Sequence, residues 1–342
     1  MNPSDTAMYR EAAEAGTAVA RQYAENAGIV ARAAAQLRAA DPAMLLTLAR
    51  GSSDNAATFL RYLVETRLGV ATGSFAPSIA SVYGATPRFE RAVVVAISQS
   101  GRSPDLLAAA EAATAGGARL IGMVNDAASP LALLSSPLMP LHAGPEKSVA
   151  ATKSFIATLA ASLHLVAEWA EDAALKADLE TLPSLLDAAF ALDWSAALPV
   201  LETAENLYVV ARGPALGVAQ EMALKIKETC GFHAEAFSAA EVKHGPMALV
   251  REGFPVLIIA QRDESLESVE ELAQLFAEKG ATLLSAGLPS APGIRLPLPD
   301  APALLQPMLA VEAFYRFVNM LSVARGHDPD SPPGLRKVTE TL

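Results

Sequence analysis

A cluster of small polar residues interrupts the stretch AISQSGRSPDLLAAAEAA at residues 96–113. The apolar run at 93–97 predicts a buried strand, and the alanine-rich continuation predicts a helix with Ser103 as N-cap and Pro104 at its first position. Capping does not explain the residues between strand and helix: Ser98, Gln99, Ser100 and Gly101. Hydroxyl donors before a helix N-terminus suit a phosphate monoester, so a phosphate site and an ordinary capped turn are both open.

A second turn of similar composition follows the first apolar run of the chain. The segment GSSD begins at Gly51, directly after the run at 44–49, so Ser53 could approach the same ligand as the first cluster. After the apolar run at 256–260 the chain continues QRDES, which is acidic where a phosphate needs donors. We therefore expect one phosphate site, at the earlier turns.

The block EMALKIKETCGFHAEAFSAAEVKHGP, residues 221–246, is dense in titratable groups. On a helix, Lys225 and Glu228 are neighbours at i and i+3, which at a surface would be an ordinary ion pair worth a few tenths of a kcal/mol. A catalytic pair is the alternative. His244 precedes a Gly-Pro turn and could be solvated, structural or a proton donor.

The other histidines and the single cysteine give no sign of a metal or redox centre. The spacing of His142, His164, His233 and His327 matches no metal-binding pattern, so we expect no metal and no cofactor. Cys230 excludes an internal disulfide and is expected to be a buried small hydrophobe. The expected compartment is the cytosol.

The overall composition excludes several classes of partner. The chain has 342 residues, 52% hydrophobic content and a formal net charge of -11, with no basic run that could neutralise a nucleic acid backbone. Its N-terminus lacks the basic start and apolar core of a secretory signal. The most membrane-like segment, FIATLAASLHLVAEWA from Phe155, is shorter than the ~20 apolar residues that a span requires. We expect it to be a buried helix, with no membrane association.

Short apolar runs alternate with helical segments along the chain. They lie at residues 44–49, 93–97, 119–124, 207–211, 256–260 and 281–286. Continuous apolar strands between helices predict α/β architecture, with a parallel sheet covered on both faces. The Ala-Arg-Gly turn after the first run recurs after the fourth, which indicates two duplicated domains. The tail from Gly326 has too many prolines and glycines for a helix or a central strand.

Five motifs together resemble those of a known family. The SQSG turn, GPEKSVAATKSF at 144–155, the ALKIKE and EVKHGP motifs, and the terminal DPDSPPGLRKVT are similar to the isomerase half of glucosamine-6-phosphate synthase. That half is a tandem pair of sugar isomerase (SIS) domains, and the resemblance runs from about residue 30 over nearly the whole chain.

The resemblance implies two flavodoxin-like domains, each a parallel sheet between helical layers. We expect an N-terminal helix at 1–30, a sugar-phosphate-binding SIS domain at 31–185, a second SIS domain at 186–325, and a tail at 326–342 that wraps over the active site. It further implies a homodimer in which His244 is contributed by the neighbouring subunit.

The resemblance also implies roles for individual residues. The phosphate-binding positions are Ser53, Ser98, Gln99, Ser100 and Ser103, and the sugar site further includes Val149, Ala151 and Arg336. Glu228 matches the base that moves a proton between C1 and C2, and Lys225 is the lysine beside it. His244 matches the group that opens the sugar ring. Lys337 matches the tail lysine that forms an imine with the open-chain sugar.

Departures from the family pattern bear on the reaction. The synthase also needs a glutaminase domain with a cysteine nucleophile at its start, whereas this sequence opens Met1-Asn2 and its only cysteine is Cys230. We therefore expect no glutamine hydrolysis. Ala151 replaces a serine of the sugar site, and Arg102 and Arg336 replace smaller or acidic residues, so the exact sugar is open.

These expectations favour a glutamine-independent deaminase that converts glucosamine 6-phosphate and water to fructose 6-phosphate and ammonia. One alternative is another amino-sugar or fructosamine phosphate as substrate. A second is an ammonia-dependent aminotransferase, which is the same chemistry in reverse. A third is a regulator that binds a sugar phosphate without turnover, which the absence of a basic DNA-binding segment disfavours.

Overall fold

A computed structural model of the protein describes residues 1–337. They form two compact units. The unit called here the first-sheet unit comprises Thr17–Glu146, Lys153–Thr181 and, from the tail, Arg336 and Lys337. The second-sheet unit comprises Met1–Gly16, Lys147–Thr152 and Leu182–Leu335.

Five parallel strands build the sheet of the first-sheet unit. They are β1 (Met44–Leu48), β2 (Ala71–Ser74), β3 (Ala92–Ser98), β4 (Arg119–Val124) and β5 (Leu138–Pro140). Their spatial order is β2-β1-β3-β4-β5, so the chain reverses its direction of travel between β1 and β3. This is the order of flavodoxin-like doubly wound sheets, in which ligands bind outside the carboxyl ends of the strands at that reversal.

Helices bury the first sheet. The helices that lie wholly or partly in this unit are α2 (Ala15–Ala40), α3 (Ser52–Leu68), α4 (Ser78–Ser81), α5 (Pro104–Ala115), α6 (Pro130–Leu134), α7 (Lys153–Trp169) and α8 (Ala173–Phe190). Helix α8 continues into the other unit. Apolar residues of α5 pack on β3 and β4, and α3 packs against α7. Because both faces are covered, β3 is buried along its whole length. The segment from Phe155 is the buried helix that its composition predicts.

The second-sheet unit repeats this architecture. Its strands are β6 (Asn206–Ala211), β7 (His233–Ser238), β8 (Pro255–Ile259), β9 (Thr282–Ala286) and β10 (Ile294–Leu296), all parallel and in the order β7-β6-β8-β9-β10. Its helices are α1 (Ala7–Ala13), α9 (Leu198–Leu201), α10 (Ala215–Cys230), α11 (Leu266–Glu278) and α12 (Gln306–Ala324). Short 3-10 helices occur at Pro3–Asp5, Ser195–Ala197, Glu241–His244 and Pro246–Leu249. The tandem α/β fold expected from the sequence is confirmed.

All six apolar runs form strands, namely β1, β3, β4, β6, β8 and β9. The four strands without such a signal are β2, β5, β7 and β10, and each lies at an edge of its sheet. Edge strands are partly exposed, so they need no continuous apolar run and tolerate Pro140. The described part of the tail contains no helix or strand, as its proline content predicts.

The described tail is tied to the N-terminal helix of its own unit. Asp330 accepts hydrogen bonds from the backbone N–H groups of Ala7 and Met8 at 2.6 and 2.7 Å, at the start of α1. A carboxylate at a helix N-terminus is favoured by the helix dipole. In residues 1–337 no single helix is long and apolar enough to cross a membrane, and only one pair of helices, bent at its break, passes that test jointly.

Candidate active site

The two serine-bearing turns lie at the carboxyl ends of neighbouring strands. β1 and β3 pair in parallel, with Leu48 opposite Ala96, so both strands end at the same edge of the sheet. α3 then begins at Ser52 and α5 at Pro104. Ser53 and the turn from Ser98 to Ser103 therefore flank the reversal point of the sheet, where doubly wound folds bind ligands.

The turn after β3 is shaped by a glycine in the left-handed region. Gly101 has a φ of +62°, and a Cβ on it would lie 2.1 Å from Ser129 Oγ, so no other residue fits without displacing Ser129. Ser98 Oγ accepts the Gly101 N–H at 2.9 Å, which fixes the turn from inside. Ser98 is buried, whereas Gln99 and Ser100 are half-buried.

Ser103 is the N-cap of α5 by position, but its side chain makes no capping hydrogen bond. Pro104 has no N–H, and the N–H of Leu106 donates to Asp105 Oδ1 at 2.8 Å. The start of α5 is therefore satisfied largely without Ser103, and that hydroxyl remains available to a ligand. An ordinary capped turn, one of the two alternatives for this segment, therefore does not account for the Ser103 hydroxyl.

A buried carboxylate joins the two turns, which the sequence analysis did not anticipate. Asp105 Oδ2 accepts from Arg50 Nε at 3.0 Å and lies 2.9 Å from Arg50 Nη2, with the carboxylate fully buried. The guanidinium is held between the starts of α3 and α5. Burial raises the pKa of Asp54 nearby, and Arg50 partly offsets that increase. No local motif signals an Arg–Asp pair 55 residues apart.

Arg102, one of the departures from the family pattern, pairs with the carboxylate of Asp126. Its Nη2 lies 2.7 Å from Asp126 Oδ2, and both side chains are partly exposed. The hydrogen bond from Arg102 and a second one from the Ala128 N–H lower the pKa of the Asp126 carboxyl. The charge of Arg102 is thus shared with a carboxylate.

The segment Lys147–Thr152, which includes the predicted sugar-site residues Val149 and Ala151, is anchored within the second-sheet unit. Glu11 on α1 accepts the backbone N–H of Lys147 and, at 3.1 Å, that of Ser148. The Val149 N–H donates to the Asp330 carbonyl at 3.2 Å. Val149 and Ala151 are half-buried.

Lys225 and Glu228 belong to a buried charge cluster on α10. Lys225 Nζ contacts the Glu228 carboxylate and lies 3.3 Å from Glu221 Oε1. The Lys225 side chain is 1% exposed and that of Glu221 is fully buried, whereas Glu228 is 21% exposed. Tyr315 on α12 donates to Glu221 Oε1 at 3.2 Å. One alternative was an ion pair at the surface. Because Lys225 is buried, that alternative is wrong.

The electrostatics of this cluster hold Lys225 as a cation. Burial alone lowers the pKa of Lys225, but the carboxylates of Glu221 and Glu228 together raise it above its ordinary value. A buried ammonium between two carboxylates fixes the position of both. Glu228 combines a buried anchor with a partly exposed carboxylate, which is the arrangement a general base needs. Glu221 lies four residues before Lys225 and was missed by the sequence analysis.

His244 ends the 3-10 helix Glu241–His244 and is exposed. The following residue, Gly245, has a φ of +145°, and a Cβ on it would meet no atom within 4 Å. The turn therefore presents the imidazole at the surface of the second-sheet unit.

Lys337 lies in the first-sheet unit and forms an ion pair with Glu146. Its Nζ is 3.0 Å from Glu146 Oε2, with the carboxylate fully buried and the lysine side chain 22% exposed. Arg336 beside it is exposed.

The residues described also bear on metal and thiol chemistry. Across residues 1–337 no three His, Cys, Asp or Glu side chains cluster in a way that could hold a metal ion. Cys230 is buried, as expected, and burial raises the pKa of its thiol to about 12. It is not a thiolate nucleophile near neutral pH.

Two parallel sheets of the same strand order, with small polar turns at the reversal of the first, define a tandem doubly wound α/β protein. Residues 40–167 and 200–286 match the SIS domain. The chain belongs to the SIS domain family, which confirms the resemblance found in the sequence.

Curated relatives include two enzymes named glutamine–fructose-6-phosphate aminotransferase (isomerizing). The one from Aeropyrum pernix is 34% identical, with 86% of this chain and 50% of that protein covered. The one from Aquifex aeolicus is 33% identical, with 86% and 51% covered. This chain thus spans about half the length of the relatives it matches.

Solved structures share the fold over nearly the whole chain. A protein from Silicibacter pomeroyi assigned to the phosphosugar isomerases is 44% identical, with a TM-score of 0.91 and coverage of 95% of this chain and 100% of that one. A glucosamine-6-phosphate deaminase from Thermotoga maritima is 21% identical, with a TM-score of 0.78 and coverage of 98% and 100%. At 21% identity, the second likeness shows the fold alone.

Replacing Lys225 by methionine is expected to lower the free energy of unfolding by about 3–5 kcal/mol, because Glu221 would remain buried without its counter-charge. The matched control is Lys227→Met, an exposed lysine on the same helix, which should change stability by less than about 0.5 kcal/mol. Urea denaturation of both variants measures the difference. A loss below about 1 kcal/mol for Lys225→Met would contradict the buried cluster.

Proposed function

We propose that the chain catalyses aldose–ketose isomerisation coupled to deamination of an amino-sugar phosphate, most simply glucosamine 6-phosphate and water to fructose 6-phosphate and ammonia. The observation that carries this proposal is Glu228, a partly exposed carboxylate fixed by a buried lysine. The names of the relatives support sugar phosphates as the substrate class.

The phosphate is proposed to bind at the reversal point of the first sheet. The hydroxyls of Ser53, Ser100 and Ser103 supply donors there, and Gln99 supplies an amide. Ser98 keeps the turn in shape through its bond to Gly101. Arg50, whose charge is shared with Asp105, adds guanidinium N–H donors at the same edge.

Glu228 is proposed as the base that acts after ring opening. It takes the proton from C2 of the open-chain aldehyde, the freed electron pair forms the C1–C2 double bond, and O1 takes a proton from water, which gives an enol. It then returns a proton to C1, so that C2 becomes an imine. The ammonium group of Lys225 contacts the Glu228 carboxylate and holds it in position to accept that proton.

Release of nitrogen completes the proposed reaction. Water adds to the C2 imine and ammonia leaves, or the amine of Lys337 first displaces ammonia and water then hydrolyses the lysine imine. Within this chain no thiol is available to release ammonia from glutamine, because the only cysteine is buried with a raised pKa.

The same catalytic groups support related reactions. Another amino-sugar or fructosamine phosphate is favoured if the loss of the family's serine at Ala151 widens the sugar site. The reverse reaction, synthesis with free ammonia, follows from microscopic reversibility and agrees with the aminotransferase names of the relatives. Binding without turnover is disfavoured by the anchored base.

The proposed partners are a sugar phosphate and a second copy of the chain. We infer a homodimer in which the exposed His244 of one subunit opens the sugar ring in the site of the other. Neither nucleic acid nor a membrane is proposed as a partner, since the chain carries a net charge of -11 and no basic run. A cytosolic location and the absence of a cofactor remain predictions.

The first test of this function is ammonia release from a panel of amino-sugar and fructosamine phosphates. Glucosamine 6-phosphate is expected to give ammonia and fructose 6-phosphate, and Cys230→Ala should keep the wild-type rate. Glutamine with fructose 6-phosphate should give no glucosamine 6-phosphate. Tight sugar-phosphate binding with no turnover of any compound would favour a sensor instead.

Ser100→Ala is expected to raise KM for the phosphorylated sugar about tenfold, with kcat little changed, because one hydrogen bond to a charged group is lost. Unphosphorylated glucosamine provides the control, since its weak binding should be equal in both proteins. Steady-state kinetics measures the effect. An unchanged KM would place the phosphate elsewhere.

The shared-site proposal predicts complementation between two inactive variants. Mixed dimers of Glu228→Gln and His244→Ala chains should regain part of the activity, since some of them contain one intact site. Each variant alone should stay inactive on closed-ring substrate. Failure to regain activity after subunit exchange has been verified would argue that each chain completes its own site.

A further inference from the structure

Glu146 and Lys337 form an ion pair within the first-sheet unit. The two residues are 191 positions apart in the chain, and their Nζ–Oε2 distance is 3.0 Å. The carboxylate is fully buried. Burying a carboxylate is costly unless hydrogen bonds or a positive charge compensate for its lost hydration. The position of Glu146 beside Lys337 therefore needs an explanation.

Ser154 fixes the orientation of this carboxylate. Its backbone N–H donates to Glu146 Oε1 at 3.2 Å, and its hydroxyl donates to Oε2 at 2.6 Å. Ser154 is the second residue of α7, so Glu146 also lies at a helix N-terminus, where the dipole favours negative charge. Capping accounts for the contacts with Ser154. It does not account for the third contact, in which Oε2 is directed at Lys337 Nζ.

We propose that Glu146 is the proton acceptor that makes Lys337 nucleophilic. This inference rests on the proposed function, in which Lys337 displaces ammonia from the C2 imine. An ammonium group has no electron pair to attack with, so the lysine must first lose a proton. Glu146 is the described carboxylate placed at hydrogen-bond distance from that nitrogen.

Lys337 displaces ammonia from C2 with no net change in the protonation of Glu146. An N–H bond of Lys337 breaks and an O–H bond forms on Glu146 Oε2. The freed electron pair forms the bond from Nζ to C2, the π bond of the protonated imine moves onto its nitrogen, and a proton passes from Nζ to that nitrogen. The bond from C2 to the departing nitrogen then breaks, leaving a lysine iminium and ammonia. Glu146 gives its proton to ammonia, which leaves as ammonium, and the carboxylate is restored.

Reductive trapping tests this role. Wild-type protein is incubated with fructose 6-phosphate and cyanoborohydride, and the mass of the peptide containing Lys337 is followed over time. The adduct is expected on Lys337 in the wild type and absent in Lys337→Ala. Glu146→Gln should slow adduct formation on the order of 10²-fold, the usual effect of losing a proton-transfer group, while the Kd for fructose 6-phosphate changes less than about threefold. Glu146→Asp should restore part of the rate.

Two further variants separate proton transfer from folding. Glu168→Gln removes the partner of Lys176, a comparable pair at 2.8 Å towards the other end of α7, and should trap at the wild-type rate. Ser154→Ala keeps the carboxylate but releases its orientation, and should slow trapping about tenfold. If Glu146→Gln does not fold, the trapping rate of Ser154→Ala provides the test in its place.

Three results would overturn the inference. The first is a wild-type trapping rate in Glu146→Gln or, if that variant does not fold, in Ser154→Ala. The second is a loss of rate matched by an equal loss of affinity, which would indicate a structural role. The third is the absence of any Lys337 adduct in the wild type, and ammonia release from the same protein would then show that the proposed deaminase function stands without the lysine.

Discussion

Parallel strand pairing is the constraint on which the rest of this molecule depends. Because every strand of the first sheet runs in one direction, β1 and β3 deliver their following turns to one edge in fixed register. The starts of α3 and α5 then stand side by side, and the buried Asp105 can hold Arg50 between them. The sheet thereby brings the two serine turns to one edge.

The duplicated second sheet keeps the architecture and changes the chemistry. Its order repeats that of the first, but acidic residues follow β8 where the serine turn follows β3. Chemistry in that unit is concentrated on α10, where Lys225 is buried between two carboxylates. Burial makes the cluster stiff, since separating any of its charges would leave another without compensation. Stiffness of this kind suits a base that must hold one position.

The sequence predicts the parts of this protein that depend on local pattern. Apolar runs locate the six central strands of the two sheets, and the position of Ser103 before Pro104 locates the start of α5. What it misses depends on distant partners or weak patterns. Edge strands carry no continuous apolar run, and the pairs Arg50–Asp105 and Lys337–Glu146 join residues that only the fold brings together. The burial of Lys225 is likewise invisible in an i, i+3 spacing, which is equally typical of an exposed helix face.

The proposed function depends most on one step, the transfer of a proton by Glu228 between C1 and C2 of a sugar phosphate. The most direct measurement is incorporation of deuterium from heavy water into the carbon-bound positions of fructose 6-phosphate at C1 and glucosamine 6-phosphate at C2, followed by NMR. The wild type is expected to incorporate deuterium, and the rate should fall on the order of 10² to 10⁴-fold in Glu228→Gln, which should still bind fructose 6-phosphate. Incorporation at the wild-type rate in Glu228→Gln would contradict this role of Glu228.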